Sequence, residues 1–329
     1  MDSNIFEEEQ FLHPNYQHLD KYVHIMFKGF WTPAKYEKLI REQDTPSYFN
    51  DFGDVDQESI KRCILAIALV ENQVKTYWNR LSSDLPQTII GDVGGVFGNS
   101  EVVHRRSYFA LLENLKIDPD EIYQYPETKG RIKYLKKHLE KDPKIIGKKR
   151  ILKNLVLFTS LVERASLFTQ FYILMSYSRR NRGLKSVGAL QRSTATEELV
   201  HYSFGIDVIN IIKKEHPQLW SEYLIDLVGK NIKAAYQAEL DLIDWFFEKG
   251  VPEHLSKDEV INFLNYNFNV ICKDLKLNIT YDYDEQMFEE KNLWMMEEIG
   301  GSVEPDFFDN AVGGYSAEEE DIDIDKFEF

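Results

Sequence analysis

The chain contains few cysteines and prolines for its length and no long uninterrupted apolar run. Its 329 residues include 2 Cys and 10 Pro. Cys63 and Cys272 each stand alone in an apolar segment, which predicts buried thiols in a reducing compartment rather than a disulfide. No run of about 18 apolar residues occurs, and residues 1–9 lack the basic and apolar parts of a secretion signal. We therefore expect a cytoplasmic protein with no membrane partner.

Positive charge is also scarce. The sequence has 39 Lys and Arg against 55 Asp and Glu, and the resulting net charge of −16 disfavours a nucleic-acid partner. Alternation of β-branched residues, the mark of strands, is rare, so the sequence predicts an all-α fold. The hydrophobic content of 43% is typical of a globular chain with a substantial core.

Two copies of one short motif, Glu-x-x-His, stand out against this background. They are Glu101–His104 and Glu198–His201, each within a stretch of helical periodicity. On a helix the two side chains of each copy lie one turn apart on the same face. A single copy is more often a solvated surface pair than a metal site, so the motif alone decides little.

Two further glutamates, Glu71 and Glu163, interrupt apolar helical runs. Burying an unpaired carboxylate costs several kcal/mol or more, so such placements are rarely incidental. Two lone glutamates and two Glu-x-x-His pairs on four helices form the ligand set of ferritin-like dinuclear carboxylate proteins. We therefore predict a ferritin-like helical bundle with additional helices. Its predicted metal ligands are Glu71, Glu101, His104, Glu163, Glu198 and His201.

Four carboxylates and two imidazoles make an oxygen-rich site that suits iron or manganese better than zinc. Two divalent ions would be neutralised by the four carboxylates. Tyr108, one turn after His104, could be oxidised, or it could be an ordinary buried tyrosine with a satisfied hydroxyl. Five phenylalanines within about two turns of the ligands are expected to exclude water, although core packing explains each one singly. They are Phe97, Phe109, Phe168, Phe171 and Phe204.

Along the chain we predict an irregular N-terminal arm (1–24), the helical dinuclear domain (25–280) and an extended acidic C-terminal segment (281–329). Within the domain we expect a loop at 44–57, a long helix from Ser59 to about Leu81, a glycine-rich bend at 91–98 and one apolar helix at 151–177.

Two charged stretches remain. Residues 316–329 combine acids with apolar positions, which we interpret as a flexible partner-docking tail rather than an untidy terminus. The basic cluster Lys148–Arg150 is interpreted as a solvated helix start rather than a phosphate or partner site.

These residues resemble the small (beta) subunit of class I ribonucleotide reductase over nearly the whole chain. Ser100–Tyr108 is similar to that family's first Glu-x-x-His with its following Ser-Tyr, and Glu197–His201 to the second. Phe30–Pro33 resembles the family's N-terminal tryptophan segment. Asn292–Trp294 and Asp306–Asn310 resemble the family's segments before the tail. Tyr315 and the acidic end are similar to the family's partner-docking tail.

The resemblance implies a homodimer that works with a large (alpha) subunit, to which the C-terminal tail docks. The oxidised metal centre would supply a one-electron oxidant that generates a thiyl radical in the large subunit, for reduction of ribonucleotides. His104, Glu197, Trp31 and Tyr315 would carry electrons and protons toward that partner. For Trp31 the alternative is an aromatic anchor of the arm.

Three departures from the family pattern refine the expectation. Glu71 and Glu197 stand where most or the best-known members have Asp, and Ser193–Thr196 is more polar than in tyrosyl-radical members. Together they resemble class Id, whose oxidant is a dimanganese cluster formed with superoxide, supplied here by a flavoprotein activator. Tyr108 would then be a spectator. The alternatives are two irons with a tyrosyl radical, one manganese with one iron, a stand-alone dinuclear oxidase, and a ferritin-type storage protein.

Overall fold

The computed structural model describes residues 4–9, 15–74 and 76–301. Within this part of the chain the regular structure is helical, and extended pairing is confined to one isolated bridge between Asp142 and Ile145. The all-α prediction is confirmed. No helix of the described residues has both the length and the apolar character needed to cross a bilayer.

Fourteen α-helices are found in the described residues. They are α1 (Asp20–Lys28), α2 (Ala34–Leu39), α3 (Thr45–Asn50), α4 (Asp54–Val74), α5 (Tyr77–Asp84), α6 (Thr88–Asn114), α7 (Thr128–Leu135), α8 (Lys148–Leu157), α9 (Phe168–Arg179), α10 (Lys185–Glu215), α11 (Glu222–Phe246), α12 (Lys257–Leu275), α13 (Glu285–Met287) and α14 (Leu293–Gly300). Short π-helical segments lie at Ile40–Asp44, Phe158–Ala165 and Phe288–Asn292.

Several helix starts follow from local sequence. Ser221 accepts a hydrogen bond from the Leu224 amide at the start of α11, and Ser256 accepts one from Glu259 at the start of α12. These N-caps satisfy amides that the first turn leaves without partners. The sequence therefore indicates where these two helices begin.

Four segments carry the predicted ligands into one core. α4 carries Glu71, α6 carries Glu101 and His104, and α10 carries Glu198 and His201. Glu163 lies in the π-helical segment Phe158–Ala165, between α8 and α9. α6 packs on α4, and α10 packs on α9 and on the π-helical segment, so all four segments border the same interior.

The structure corrects the expected irregular structure near the N-terminus. Residues 20–24 belong to α1, where Tyr22 is buried and donates a hydrogen bond to Asp207 at 2.7 Å. Most of the expected 44–57 loop is also helical, since α3 ends at Asn50 and α4 begins at Asp54. Tyr48 is buried and its hydroxyl bonds the Gln57 carbonyl, a tertiary contact that stabilises α3 against the turn-forming residues around it.

The prediction of a glycine-rich bend is wrong, because residues 91–98 form part of the continuous helix α6. A Cβ at Gly94 would lie 2.4 Å from the Trp78 carbonyl oxygen, and one at Gly98 would lie 2.1 Å from the Asn79 amide nitrogen. Both glycines allow α5 to approach the backbone of α6 closely. Close helix packing, rather than a turn, explains this composition.

Two predicted long helices are interrupted. The helix expected from Ser59 to Leu81 starts earlier, at Asp54, and divides into α4 and α5, while the 151–177 helix is divided by the π-helical segment. At the other end, α13 and α14 lie where no sustained helix was expected, with Trp294 and Met295 buried. The domain limits at 25 and 280 stay predictions.

Candidate metal centre

All six predicted ligands lie in the interior, each at most 1% exposed. The first group of donors consists of Glu71, Glu101, His104 and Glu198, and the second of Glu101, Glu163, Glu198 and His201. Within each group one ligand atom per residue lies within 4.8 Å of every other. Because Glu101 and Glu198 occur in both groups, the geometry supports two adjacent cation sites that would share these two carboxylates.

The imidazoles point one nitrogen into this cluster. Nδ1 of His201 lies 3.1 Å from Glu198, 3.2 Å from Glu101 and 3.5 Å from Glu163. Nδ1 of His104 lies 3.0 Å from Glu198 Oε1. One nitrogen surrounded by several carboxylates at these distances is the arrangement expected around a shared cation.

Several donor atoms have no hydrogen-bond partner in the described structure. They include both carboxylate oxygens of Glu71, both of Glu101 and Nδ1 of His104, because the short approaches of Glu101 and Glu198 to the imidazoles lack the alignment of hydrogen bonds. A buried polar atom without a partner costs about 1–3 kcal/mol, and more when it is charged. Cations between these atoms would satisfy all of them, so the residues present fit a dinuclear metal centre.

Burial and crowding perturb the proton affinities of the cluster. Burial raises the pKa of Glu71 and Glu163 well above the ordinary value, and the nearby Glu198 carboxylate raises both further. Burial would lower the pKa of His104, but the Glu71 and Glu197 carboxylates raise it overall. The ligands therefore compete for protons when no cation is bound.

The second nitrogen of each imidazole is held by a neighbour. Nε2 of His104 lies 2.5 Å from Glu197 Oε2, and Nε2 of His201 lies 3.1 Å from Ser100 Oγ. When Nδ1 binds a cation, Nε2 carries the remaining proton and donates it in these bonds. Such partners set the tautomer and the orientation of a metal-binding histidine.

The predicted transfer residues converge on His104. The Trp31 ring stacks near the His104 ring, with centroids 5.9 Å apart and planes inclined by 25°. Trp31 is buried, and Glu197 on α10 forms a hydrogen bond with the same imidazole. Trp31, His104 and Glu197 therefore form one contiguous group, whereas Tyr315 lies outside the described residues.

Tyr108 is fully buried, and its hydroxyl donates to Gln191 Oε1 at 2.6 Å. Burial raises the pKa of Tyr108 well above its ordinary value. A neutral amide is a weak proton acceptor, so this partner favours an intact phenol. Gln191 was not anticipated, although its position two turns before Glu198 on α10 is a usable signal.

Trp78 is a second residue whose role sequence reasoning missed. Its indole N–H donates to Glu163 Oε1 at 2.9 Å. The tryptophan is 1% exposed and packs edge-on against Phe97 and Phe204. A tryptophan on the apolar face of a helix is usually interpreted as core, so no sequence signal distinguished it.

Four of the five predicted phenylalanines are buried and one is not, and contact with a ligand ring is seen for Phe97. Phe97 and Phe204 pack together around Trp78, and Phe97 lies 4.1 Å from the His201 ring. Phe168 and Phe171 are also buried. Phe109 is 36% exposed beneath the Arg105 guanidinium, because its position on α6 faces away from the ligands.

Comparisons with known proteins agree with this geometry. Residues 9–299 match the family described as ribonucleotide reductase, small chain. A ribonucleoside-diphosphate reductase subunit beta from Chlamydia pneumoniae is 23% identical over 227 residues. That match covers 65% of this chain, which spans 63% of the relative's length.

Solved structures share the fold. A protein described as a class I ribonucleotide reductase from Bacillus halodurans aligns with a TM-score of 0.69 at 17% identity, covering 87% of this chain and all of the other. The dimanganese(II) form of NrdF from Streptococcus sanguinis aligns with a TM-score of 0.64 at 16% identity, covering 89% and 99%. With the family match extending over most of its length, the chain belongs to the ribonucleotide reductase small-chain family.

Proposed function

We propose that this chain is the small subunit of a cytoplasmic ribonucleoside-diphosphate reductase, active as a homodimer with a large subunit. The observation that carries the proposal is the pair of overlapping donor groups that share Glu101 and Glu198. The fold gives several buried carboxylate oxygens of these groups no hydrogen-bond partner, and two cations would supply the missing interactions. When bound, the two ions would store one oxidising equivalent for use in the partner.

Manganese at both positions is the proposed occupancy. Glu71 stands where most of the family has Asp, which is similar to manganese-using members, and the Streptococcus sanguinis structure of the same fold contains two Mn(II) ions. The amide-bonded Tyr108 supports a centre that works without a tyrosyl radical. A flavoprotein that supplies superoxide is the proposed activator.

The chain's own residues would connect the centre with the partner. Glu197 holds the Nε2 proton of His104, and the Trp31 ring stacks on the same imidazole. Electron transfer from Trp31 toward the centre could therefore be coupled to a proton shift between His104 and Glu197. Tyr315 and the docking tail (316–329) would continue this path to the thiol of the large subunit, where the thiyl radical forms.

The test is metal analysis and electron paramagnetic resonance of the active protein, with the variant Tyr108→Phe assayed beside the large subunit. We expect two manganese ions per chain, no tyrosyl signal, and activity of Tyr108→Phe within about twofold of wild type, because a hydroxyl held by Gln191 takes no part.

The matched control is Tyr177→Phe, which removes a buried hydroxyl bonded to Asp56 away from the ligands. A stable tyrosyl signal beside two irons, lost together with activity in Tyr108→Phe, would replace the dimanganese proposal by the di-iron one. A protein with one iron and one manganese would indicate the mixed-metal version.

A further inference from the structure

One stretch of this acidic protein is strongly basic. Residues 128–153, from α7 to the middle of α8, contain eleven Lys or Arg and two acids, Glu140 and Asp142, although the net charge of the whole chain is −16. Seven of these cations are exposed, and we call them the basic surface. They are Lys129, Lys133, Lys136, Lys141, Lys144, Lys148 and Arg150.

The two acids within this stretch are already engaged. Glu140 pairs with Lys137 at 2.7 Å, and Asp142 accepts a hydrogen bond from the Tyr223 hydroxyl at 2.8 Å. Within the described residues, no cation of the basic surface forms an ion pair. Apart from the electrostatic interaction of Lys144 with Asp142, the cations of the basic surface are therefore available to an acidic segment.

Large apolar side chains lie among the cations. Ile146 is 72% exposed and Leu139 is 68% exposed, the two highest values among the large hydrophobic side chains described. The loop between α7 and α8 presents both. A face that combines cations with exposed aliphatic groups fits a segment that combines acids with apolar side chains.

The C-terminal docking tail has this composition. Residues 316–329 contain seven acids and one lysine, and their large apolar residues are Ile322, Ile324, Phe327 and Phe329. It is the most acidic stretch of its length in the chain and would be attracted to the basic surface at moderate ionic strength.

The connecting chain is long enough to reach. The Ile299 carbonyl accepts a hydrogen bond from Thr196 on α10, so α14 ends near the middle of that helix. The C-terminal end of α10 leads to the basic surface through His216, whose ring lies 5.1 Å from Phe6, and Lys148 lies over the Phe6 ring. The span along α10 from Thr196 to Glu215 is about 29 Å at about 1.5 Å per residue. A chain with as many residues as 302–315 can span at most roughly 46–50 Å when fully extended.

We infer that residues 316–329 dock on the basic surface of their own chain. The acids pair with the lysines, and the apolar side chains cover Leu139 and Ile146. If the proposed function holds, a tail bound here is withheld from the large subunit, so the two sites compete for one segment.

The experiment is zero-length cross-linking of the full chain with a water-soluble carbodiimide, read out by peptide mass spectrometry. We expect amide links from the tail carboxylates to Lys136, Lys141, Lys144 and Lys148. Raising the ionic strength to about 1 M should reduce their yield several-fold, because the Debye length falls to about 3 Å. Mixing isotope-labelled and unlabelled chains should leave the links within chains of one label.

A charge-reversed variant provides the decisive comparison. Lys136→Glu/Lys141→Glu should lower the yield of tail links to Lys144 and Lys148 by about fivefold or more, since like charges then face the acids. The matched control Lys185→Glu/Lys273→Glu changes the net charge equally at two exposed positions outside the basic surface.

Three results would overturn the inference. They are tail links spread evenly over exposed lysines, an equal loss in both double variants, and links found only between differently labelled chains. The assay needs neither metal nor large subunit, so its failure leaves the proposed function untouched. Conversely, if the proposed reductase function were disproved, the cross-linking result would still hold.

Discussion

At the scale of single residues, the centre depends on side chains that orient the ligands. Trp78 donates to Glu163, Glu197 bonds His104, and Ser100 bonds His201. Each bond restricts a ligand before any cation arrives. Part of the organisation of the site is therefore built by residues that bind no ion.

Replacing Trp78 by Phe should weaken metal binding at the Glu163 side. The change removes the indole N–H that orients Glu163 while keeping an aromatic ring in the core. Loss of such a partner typically lowers metal affinity about 10–100-fold. Titration of metal-free protein with Mn(II), followed by competition with a chelating dye, measures the effect.

The control for that experiment is Trp245→Phe. Trp245 is buried to a similar degree, but its indole N–H has no hydrogen-bond partner in the described structure. Both substitutions remove the same volume. If Trp245→Phe weakened Mn(II) binding as much as Trp78→Phe, the hydrogen bond to Glu163 would not be the cause.

His138 should make stability depend on pH. Burial lowers its pKa from 6.5 to about 4, and its ring packs against Tyr77 and Phe158. The unfolded chain binds this proton more tightly than the folded one. The contribution of neutral His138 to the free energy of unfolding is therefore fully present above about pH 6.5. It is lost as the pH falls to about 4, and its size is on the order of 3 kcal/mol.

Urea unfolding of wild type and His138→Asn across this pH range tests the expectation. The difference in unfolding free energy between the two proteins should shrink as the pH falls from about 6.5 to about 4. The exposed His24, replaced by Asn, serves as the control. A difference that does not change with pH would show that His138 has the same pKa in the folded and unfolded states.

At the scale of helices, the segment around Glu163 departs from regular α-helix. Residues Phe158–Ala165 are π-helical and all eight are buried. A π-turn inserts extra backbone into a helix and changes which side chains face a given direction, and such turns are frequent at functional sites. Here the local geometry accompanies the placement of Glu163 beside His201, at 3.5 Å.

The contact between α5 and α6 depends on a missing side chain. Gly94→Ala would put a Cβ 2.4 Å from the Trp78 carbonyl, and backbone on a packed helix cannot yield cheaply. We expect a destabilisation of about 1–3 kcal/mol, as for other overpacking changes. Thermal or urea unfolding measures it.

The neighbouring glycine is the matched control. A Cβ at Gly95 meets nothing within 4 Å, so Gly95→Ala should be neutral or stabilise α6 by up to about 1 kcal/mol through helix propensity. Equal destabilisation by both changes would mean that close packing at Gly94 is not what selects glycine.

At the scale of the whole molecule, folding gathers four carboxylates into one dry interior. Raised pKa values of Glu71, Glu101 and Glu163 mean that the metal-free folded state binds protons more tightly than the unfolded chain does. Their contribution to stability is therefore present at low pH and is lost as the pH rises through these values. Divalent ions replace those protons.

Mn(II) should accordingly stabilise the folded protein, and more so at higher pH. At a free concentration of about 100 times Kd the expected gain is about 2.7 kcal/mol per site. Thermal unfolding with and without Mn(II), between about pH 5 and about pH 8, should show a shift in Tm that grows with pH. A Glu71→Ala variant should show a smaller shift, and an equal shift in both proteins would place the ions elsewhere.

The sequence by itself determined the helical class and singled out all six candidate ligands, which the structure brings together in two overlapping groups. Helical periodicity and four carboxylates in apolar surroundings are local properties, and a buried charge without a partner is too costly to be incidental. Glu101–His104 and Glu198–His201 each share a helix face whatever the rest of the fold does.

Only the tertiary structure decided where helices break, which aromatic side chains face the centre and which polar groups support it. Gly94 and Gly98 lie inside a helix because α5 packs against them. Phe109 faces outward although it lies about as close in sequence to the Glu101–His104 motif as the buried Phe97 does. The bonds of Trp78 to Glu163 and of Gln191 to Tyr108 join residues more than eighty positions apart. Such contacts depend on the packing of whole helices, which local periodicity does not encode.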